Sequence, residues 1–314
     1  MQQSTSHDVT VVMYHYVRPL QRTRYPGIKG RTVDEFRGQL EHLRRTYRVI
    51  GVEELTAAFE DRRPFDHPTA VLTFDDGFVD HFTHVAPLLV DLGLPGAFYP
   101  PAAPVLDRRL LDVHRLHFVL ASCHDAPSLA RELDDLVRRH APAVDLEEMR
   151  ASLATPSRFD PAEVVYVKRM LQVALPRPTR SVLLGELFTS WVGVDEEVFA
   201  EELYLSSDQL RMMRGAGLHV GAHGDQHHWF GSLTGQEQRQ ELERSVALLQ
   251  HIGVDISSGW SLCYPYGDRD ESTVRTAAEL GCTLAMTTEV RGARPDVDAA
   301  LEVPRFDTND LPFS

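Results

Sequence analysis

Short apolar runs alternate with stretches of helical spacing along most of the chain. This constrains the fold more than any other feature, because a strand buried on both faces and the helix packed over it make a β/α unit. Val9–Tyr14 reads as a buried strand, after which Phe36, Leu40, Leu43 and Tyr47 recur with helical periodicity. Residues 69–74 read as a second strand, followed by a helix that carries Phe82, Val85, Ala86, Leu89 and Leu92 and stops at Gly93. Runs at 96–99, 218–222, 260–264, 283–287 and 301–306 continue the series, with a weaker one at Val49-Ile50. Another helix opens at Thr234, with Glu237 at the spacing of a capping box. The expectation is an α/β fold, a distorted (β/α) barrel of about seven parallel strands. Between about 105 and 205 the rhythm gives way to helical stretches divided by Pro-containing breaks, so residues 1–314 are expected to form one domain with a helical insertion.

The chain carries 32 Lys+Arg against 46 Asp+Glu, a formal net charge of −14. That balance argues against a nucleic-acid binder, whose footprint is a basic patch or stripe. Cys123, Cys263 and Cys282 are widely spaced, odd in number and without a Cys-x-x-Cys pair, and they read as reduced thiols. The first residues are polar, no basic leader precedes the first apolar run, and no stretch nears the roughly 20 apolar residues of a membrane span. A cytoplasmic protein without membrane insertion is expected, and a homo-oligomer is compatible with the sequence.

Thr73-Phe74-Asp75-Asp76-Gly77 puts two carboxylates and a glycine at the C-terminal end of a buried strand, where barrel enzymes keep their catalytic groups. Alone, such a segment reads equally well as a turn in which one Asp caps the next helix. The run Gly221-Ala222-His223-Gly224-Asp225-Gln226-His227-His228 supports the chemical reading, because it too follows an apolar strand. Two imidazoles four apart converge on one ion if the segment is a helical turn. One carboxylate and two neutral imidazoles suit zinc, with cobalt, iron or nickel as alternatives, and leave positions open for water and substrate.

With Tyr264-Pro265-Tyr266-Gly267 these segments resemble, in order, the motifs of the NodB-type polysaccharide deacetylases, carbohydrate esterase family 4, over about residues 70–100 and 205–290. The resemblance implies that Asp75 is the general base, that Asp76, His223 and His227 hold the metal, and that His228 is a spare imidazole. It also implies that the backbone N–H of Tyr266 helps to stabilise the oxyanion formed when activated water attacks the amide carbon. Two features depart from the family pattern. Members usually have an Arg at the place of Cys263, which steadies the base, and they end in a Leu-x-x-His segment that supplies the acid.

Neither is found here. Instead, Tyr14-His15 is similar to the N-terminal Tyr-His of circularly permuted deacetylases in this superfamily, which makes His15 the expected general acid for the departing amine. Arg305, beside the last apolar run, is expected to reach Asp75 in place of the missing Arg; its rival readings are a surface salt bridge and a contact to a substrate carboxylate. Trp229 reads as a sugar-stacking platform or a core residue. The turn-rich loop around Lys29 reads as a surface loop, with a substrate lid as its alternative.

A metal-dependent carbohydrate N-deacetylase follows from the resemblance. It would remove an N-acetyl or related N-acyl group from an N-acetylated sugar or nucleotide sugar, as a soluble precursor of a surface glycan, with the insertion as a cap selecting small substrates. Three other readings use the same residues. One is a cyclic amide or ureide hydrolase of the same fold. Another is a non-haem iron oxygenase, since two His and a carboxylate also make an iron facial triad. The last is a sugar- or metal-binding member without catalysis, prompted by the two missing family residues.

Overall fold

The computed structural model describes residues 7–157 and 160–312. By contacts the chain divides into two compact units, one of Met1–Pro19, Gly30–Arg109 and Ala200–Ser314, the other of Leu20–Lys29 and Leu110–Phe199. No helix among the described residues is long and apolar enough to cross a membrane.

The first unit holds the strands β1 (Val9–Tyr14), β2 (Arg48–Val49), β3 (Thr69–Asp75), β4 (Ala97–Tyr99), β5 (His219–Val220), β6 (Trp260–Cys263), β7 (Cys282–Met286) and β8 (Phe306–Asp307). Their ladders are all parallel. One sheet runs β5-β4-β3-β1-β8 with β2 beside the start of β3, and β6 pairs with β7. Two single bridges link these pieces, Ala222 to Leu262 past the end of β5 and Met286 to Val303 ahead of β8. At these seams Cys263 N–H donates to the Ala222 carbonyl at 2.9 Å and Thr287 N–H to the Val303 carbonyl at 2.8 Å. The ring formed by β1, β3, β4, β5, β6, β7 and β8 is thus a distorted parallel barrel with two thin seams.

The ladders are shorter than the apolar runs at 218–222 and 301–306. Pro304 has no N–H to give to a ladder. Gly221 lets Tyr99 and Ser261 come close: a Cβ there would lie 2.4 Å from the Tyr99 ring and 2.7 Å from the Ser261 carbonyl oxygen.

Alternation along β3 decides what each layer contains. Ala70, Leu72 and Phe74 pack in one core cluster with Val12, Tyr14, Phe36, Leu40 and Phe98. Val71 packs with Val9, Val11, Tyr99, Leu284, Met286 and Val303 in a second cluster. The second layer also contains a polar thread. His219 Nδ1 lies 2.7 Å from Glu53 Oε1, its Nε2 lies 2.8 Å from Ser261 Oγ, and Ser261 donates to Tyr99 OH at 3.2 Å.

The helix Val33–Thr46 starts with a capping box from Thr32 and Glu35, and Gly235–His251 starts with the expected one from Thr234 and Glu237. After β3 a π-helical turn at His81–Val85 leads into Ala86–Leu92, which ends on left-handed Gly93.

The second unit is helical, with Asp112–Ser122, Ala126–His140, Leu146–Leu153, Ala162–Arg169 and Arg177–Trp191. Within it, buried Asp134 accepts from Tyr166 OH at 2.6 Å and pairs with Arg150 at 2.5 Å. Residues around Lys29 fold with these helices: Tyr25 packs edge-on against Phe118 and Phe199, and Lys29 Nζ is 2.8 Å from Asp160 Oδ1.

Candidate active site

Register between β1 and β3 pairs Tyr14 with Phe74, so the next residues, His15 and Asp75, leave the two strands side by side. Asp76 and Gly77 are both left-handed, with φ of 72° and 64°. This sharp turn aims the two neighbouring carboxylates in different directions. It requires glycine at 77, because a Cβ there would fall 2.6 Å from the Cβ of Pro100.

Asp75 is buried against Arg305. Nη1 of Arg305 donates to Oδ1 at 3.0 Å, and Nη2 lies 2.8 Å from Oδ2. The same guanidinium donates to Thr73 Oγ1 at 3.1 Å, to the Thr287 carbonyl at 2.9 Å and to Cys263 Sγ at 3.1 Å. Burial by itself would raise the Asp75 carboxyl; Arg305, with His223 and His15 adding to it, brings it down to about 2. Arg305 is 1% exposed, which rules out the surface salt bridge and leaves its charge committed to Asp75.

Asp76 faces the two histidines. His223 Nδ1 donates to the Cys263 carbonyl at 2.7 Å, which leaves Nε2 as the lone-pair nitrogen. That Nε2 is buried without a hydrogen-bond partner among the described residues, 3.4 Å from Asp76 Oδ1, while His227 Nε2 lies 3.3 Å from the same oxygen. Two ligands about 2.0–2.1 Å from a tetrahedral ion stand about 3.3–3.4 Å apart, so these separations suit donors around one ion. All the ligand atoms lie within 4.8 Å of one another and all three residues are buried, so the set fits a divalent metal. Burial would lower the His223 pKa, but Asp75 and Asp76 raise it above the ordinary value, the mark of a pocket that favours positive charge.

The histidines do not converge through a helical turn. Residues 223–229 are irregular, with Gly224 and His227 at φ of 71° and 58°, so a loop reversal brings the second imidazole round. Glu241 fastens this loop by accepting from the backbone N–H of Asp225 at 2.7 Å and of Gln226 at 3.0 Å. His228 lies outside the convergent set.

Tyr266 is also left-handed, at φ 59°, and its carbonyl accepts from Thr288 Oγ1 at 3.1 Å. Strained non-glycine backbone of this kind costs of order 1–3 kcal/mol and collects at functional sites. Its ring meets His227 edge-on at 4.6 Å and stacks on Trp229 at 4.1 Å with 6° between the planes. Trp229 is half-buried, and its indole N–H has no hydrogen-bond partner among the described residues. His15 is half-buried as well, and its carbonyl accepts from His81 Nε2 at 2.8 Å.

The supporting partners leave little trace in the sequence. Thr73 carried a signal, since it lies two residues before Asp75 and so shares its face of the strand. The Cys263 and Thr287 carbonyls carried none, because any residue has a carbonyl.

A family model for polysaccharide deacetylase matches residues 187–285, a stretch that contains the 223–227 and 264–267 segments but not 73–77. Curated protein sequences give no match. Among solved structures the chain is similar to the deacetylase PplD of Streptococcus pyogenes in complex with acetate, with 14% identity, TM-score 0.58 and coverage of 96% of this chain and 93% of that one. IcaB from Ammonifex degensii shows 19% identity at TM-score 0.58, over 96% and 93%. The BpsB deacetylase domain from Bordetella bronchiseptica shows 16% at 0.53, over 98% and 97%. The chain therefore has the α/β fold of these three structures, and the polysaccharide deacetylase model covers the second and third of its motif segments.

Proposed function

We propose that the protein is a metal-dependent hydrolase that removes an N-acetyl group from an amino sugar. The observation that carries this is the convergence of Asp76, His223 and His227 beside a carboxylate, Asp75, that Arg305 holds ionised. A divalent ion held by those three residues, zinc first and cobalt, iron or nickel otherwise, would polarise the acyl oxygen and acidify water. Asp75 takes the proton from the attacking water, and the Tyr266 N–H donates to the developing oxyanion. His15 protonates the amine nitrogen as the C–N bond breaks, and the Trp229 ring offers a flat apolar face to the sugar.

The substrate is an N-acetylated sugar, free or nucleotide-linked, met in the cytoplasm as a surface-glycan precursor. We also propose that residues 1–314 form one catalytic domain with a helical insertion, since segments of the first unit bracket the helical unit in sequence. Replacing 110–199 with a short linker should then change the ranking of substrates.

The test is acetate release from N-acetylated sugars, nucleotide sugars and chito-oligomers by metal-stripped protein refilled with each metal, beside Asp75→Asn. Acetate and free amine in equal amounts, dependent on metal and on Asp75, are expected. Stoichiometric metal without acetate from any substrate would overturn the reading. Preference for chito-oligomers would overturn the precursor assignment.

A further inference from the structure

Asp80 and His81 open the helix that follows the Asp75-Asp76 turn, and both are buried. His81 Nε2–H donates to the carbonyl of His15 at 2.8 Å. Three residues beyond His15, Arg18 is buried too; its Nε donates to Asp80 Oδ2 at 2.7 Å and its Nη2 lies 2.5 Å from the same oxygen. Between them Tyr16 stacks on Phe78 at 3.9 Å with 16° between the rings, and the Arg18 guanidinium sits 4.8 Å over the Tyr16 ring. The backbone on the other side is tied as well, with Arg31 N–H donating to the Tyr16 carbonyl at 2.9 Å and Arg18 N–H to the Arg31 carbonyl at 3.0 Å.

The stretch carrying His15 is thus a loop fastened residue by residue to the segment that carries the base and a metal ligand. A buried ion pair is weak as a source of stability, because desolvation offsets most of its attraction. His81 begins a π-helical turn, a local irregularity that often accompanies functional sites. What the arrangement does supply is fixed geometry for a group on a loop.

We propose that Asp80, Arg18 and His81 are positioning residues that hold His15 where it protonates the departing amine. This rests on the reading of His15 as general acid, and the experiment separates the two. An amide cannot expel its amine without a proton, whereas an activated aryl acetate expels its phenolate unaided. A misplaced acid therefore slows the first substrate and spares the second.

The measurement is kcat on an N-acetyl sugar and on 4-nitrophenyl acetate for Asp80→Asn, His81→Phe, His81→Gln and His15→Ala, all zinc-loaded with zinc content checked. His15→Ala should lose about 100-fold or more on the amide and less than about twofold on the ester. Asp80→Asn and His81→Phe should show the same split at about 10–100-fold, and adding Asp80→Asn to His15→Ala should cost nothing more. His81→Gln, which keeps an N–H donor, should recover part of the loss. Equal losses on both substrates would show a merely structural role and overturn the proposal, as would full amide activity in Asp80→Asn and His81→Phe while His15→Ala shows the split. If His15→Ala shows no split, the acid assignment itself falls and takes this proposal with it.

Discussion

Replacing Arg305 by Met would strip the counter-charge from a carboxylate that is 1% exposed. The guanidinium holds Asp75 through contacts of 3.0 and 2.8 Å, and with smaller contributions from His223 and His15 it lowers that carboxyl from an ordinary 3.8 to about 2 against the opposing effect of burial. Breaking a buried pair from one side typically costs about 3–5 kcal/mol, or two to three and a half decades in the folding constant. The bonds to Thr73 and the Thr287 carbonyl go too, so the upper half of that range is expected.

Urea unfolding of metal-stripped protein, followed by circular dichroism, reads the loss as a lower midpoint. In Arg305→Met with Asp75→Asn neither charge remains, and the double variant should recover more than half of the single variant's loss. Arg305→Lys keeps the charge but not the planar fork, and should lower kcat about tenfold. A single variant within about 1 kcal/mol of the parent, or a double variant no better than the single, would refute the argument that Arg305 exists to keep Asp75 charged.

Zinc at about 100 times its dissociation constant should stabilise the parent by about 2.7 kcal/mol, seen as a higher Tm, and should do nothing for Asp76→Asn or His223→Ala. Gly221→Ala should cost about 1–3 kcal/mol in thermal or urea unfolding, because its methyl would enter the space of the Tyr99 ring and the rigid Ser261 carbonyl. The hydrogen bond from His219 holds the exposed Glu53 carboxyl below its ordinary 4.5. A pKa lowered by folding contributes stability above the ordinary value and loses it as the pH falls through the folded one. Glu53→Gln should therefore unfold more easily than the parent at neutral pH and converge with it in acid, in melts taken across that range.

The strands β1, β3, β4, β6 and β7 were readable as apolar runs, since a strand buried on both faces must be apolar along its length. The ends of the ring were harder: at 218–222 and 301–306 the chain is apolar, but Gly221 and Pro304 limit the ladder to Ala222 and Val303 bridges. The loop around Lys29 read as surface, and only packing of Tyr25 on Phe118 and Phe199 shows that it folds with the helical unit. The His223 and His227 spacing suggested a helix, but left-handed Gly224 and His227 bring the rings together another way.

The sequence alone determined the β/α order, the turn at Asp75-Asp76-Gly77 and the residue types able to bind a cation, because periodicity, turn propensity and ligand chemistry act over a few residues. Only the tertiary structure decided that Arg305 meets Asp75 from 230 positions away, and that the Cys263 carbonyl fixes the tautomer of His223 from 40 away. Those partners are chosen by the order in which parallel strands close the barrel, which places their ends together at one rim however far apart they lie in the chain.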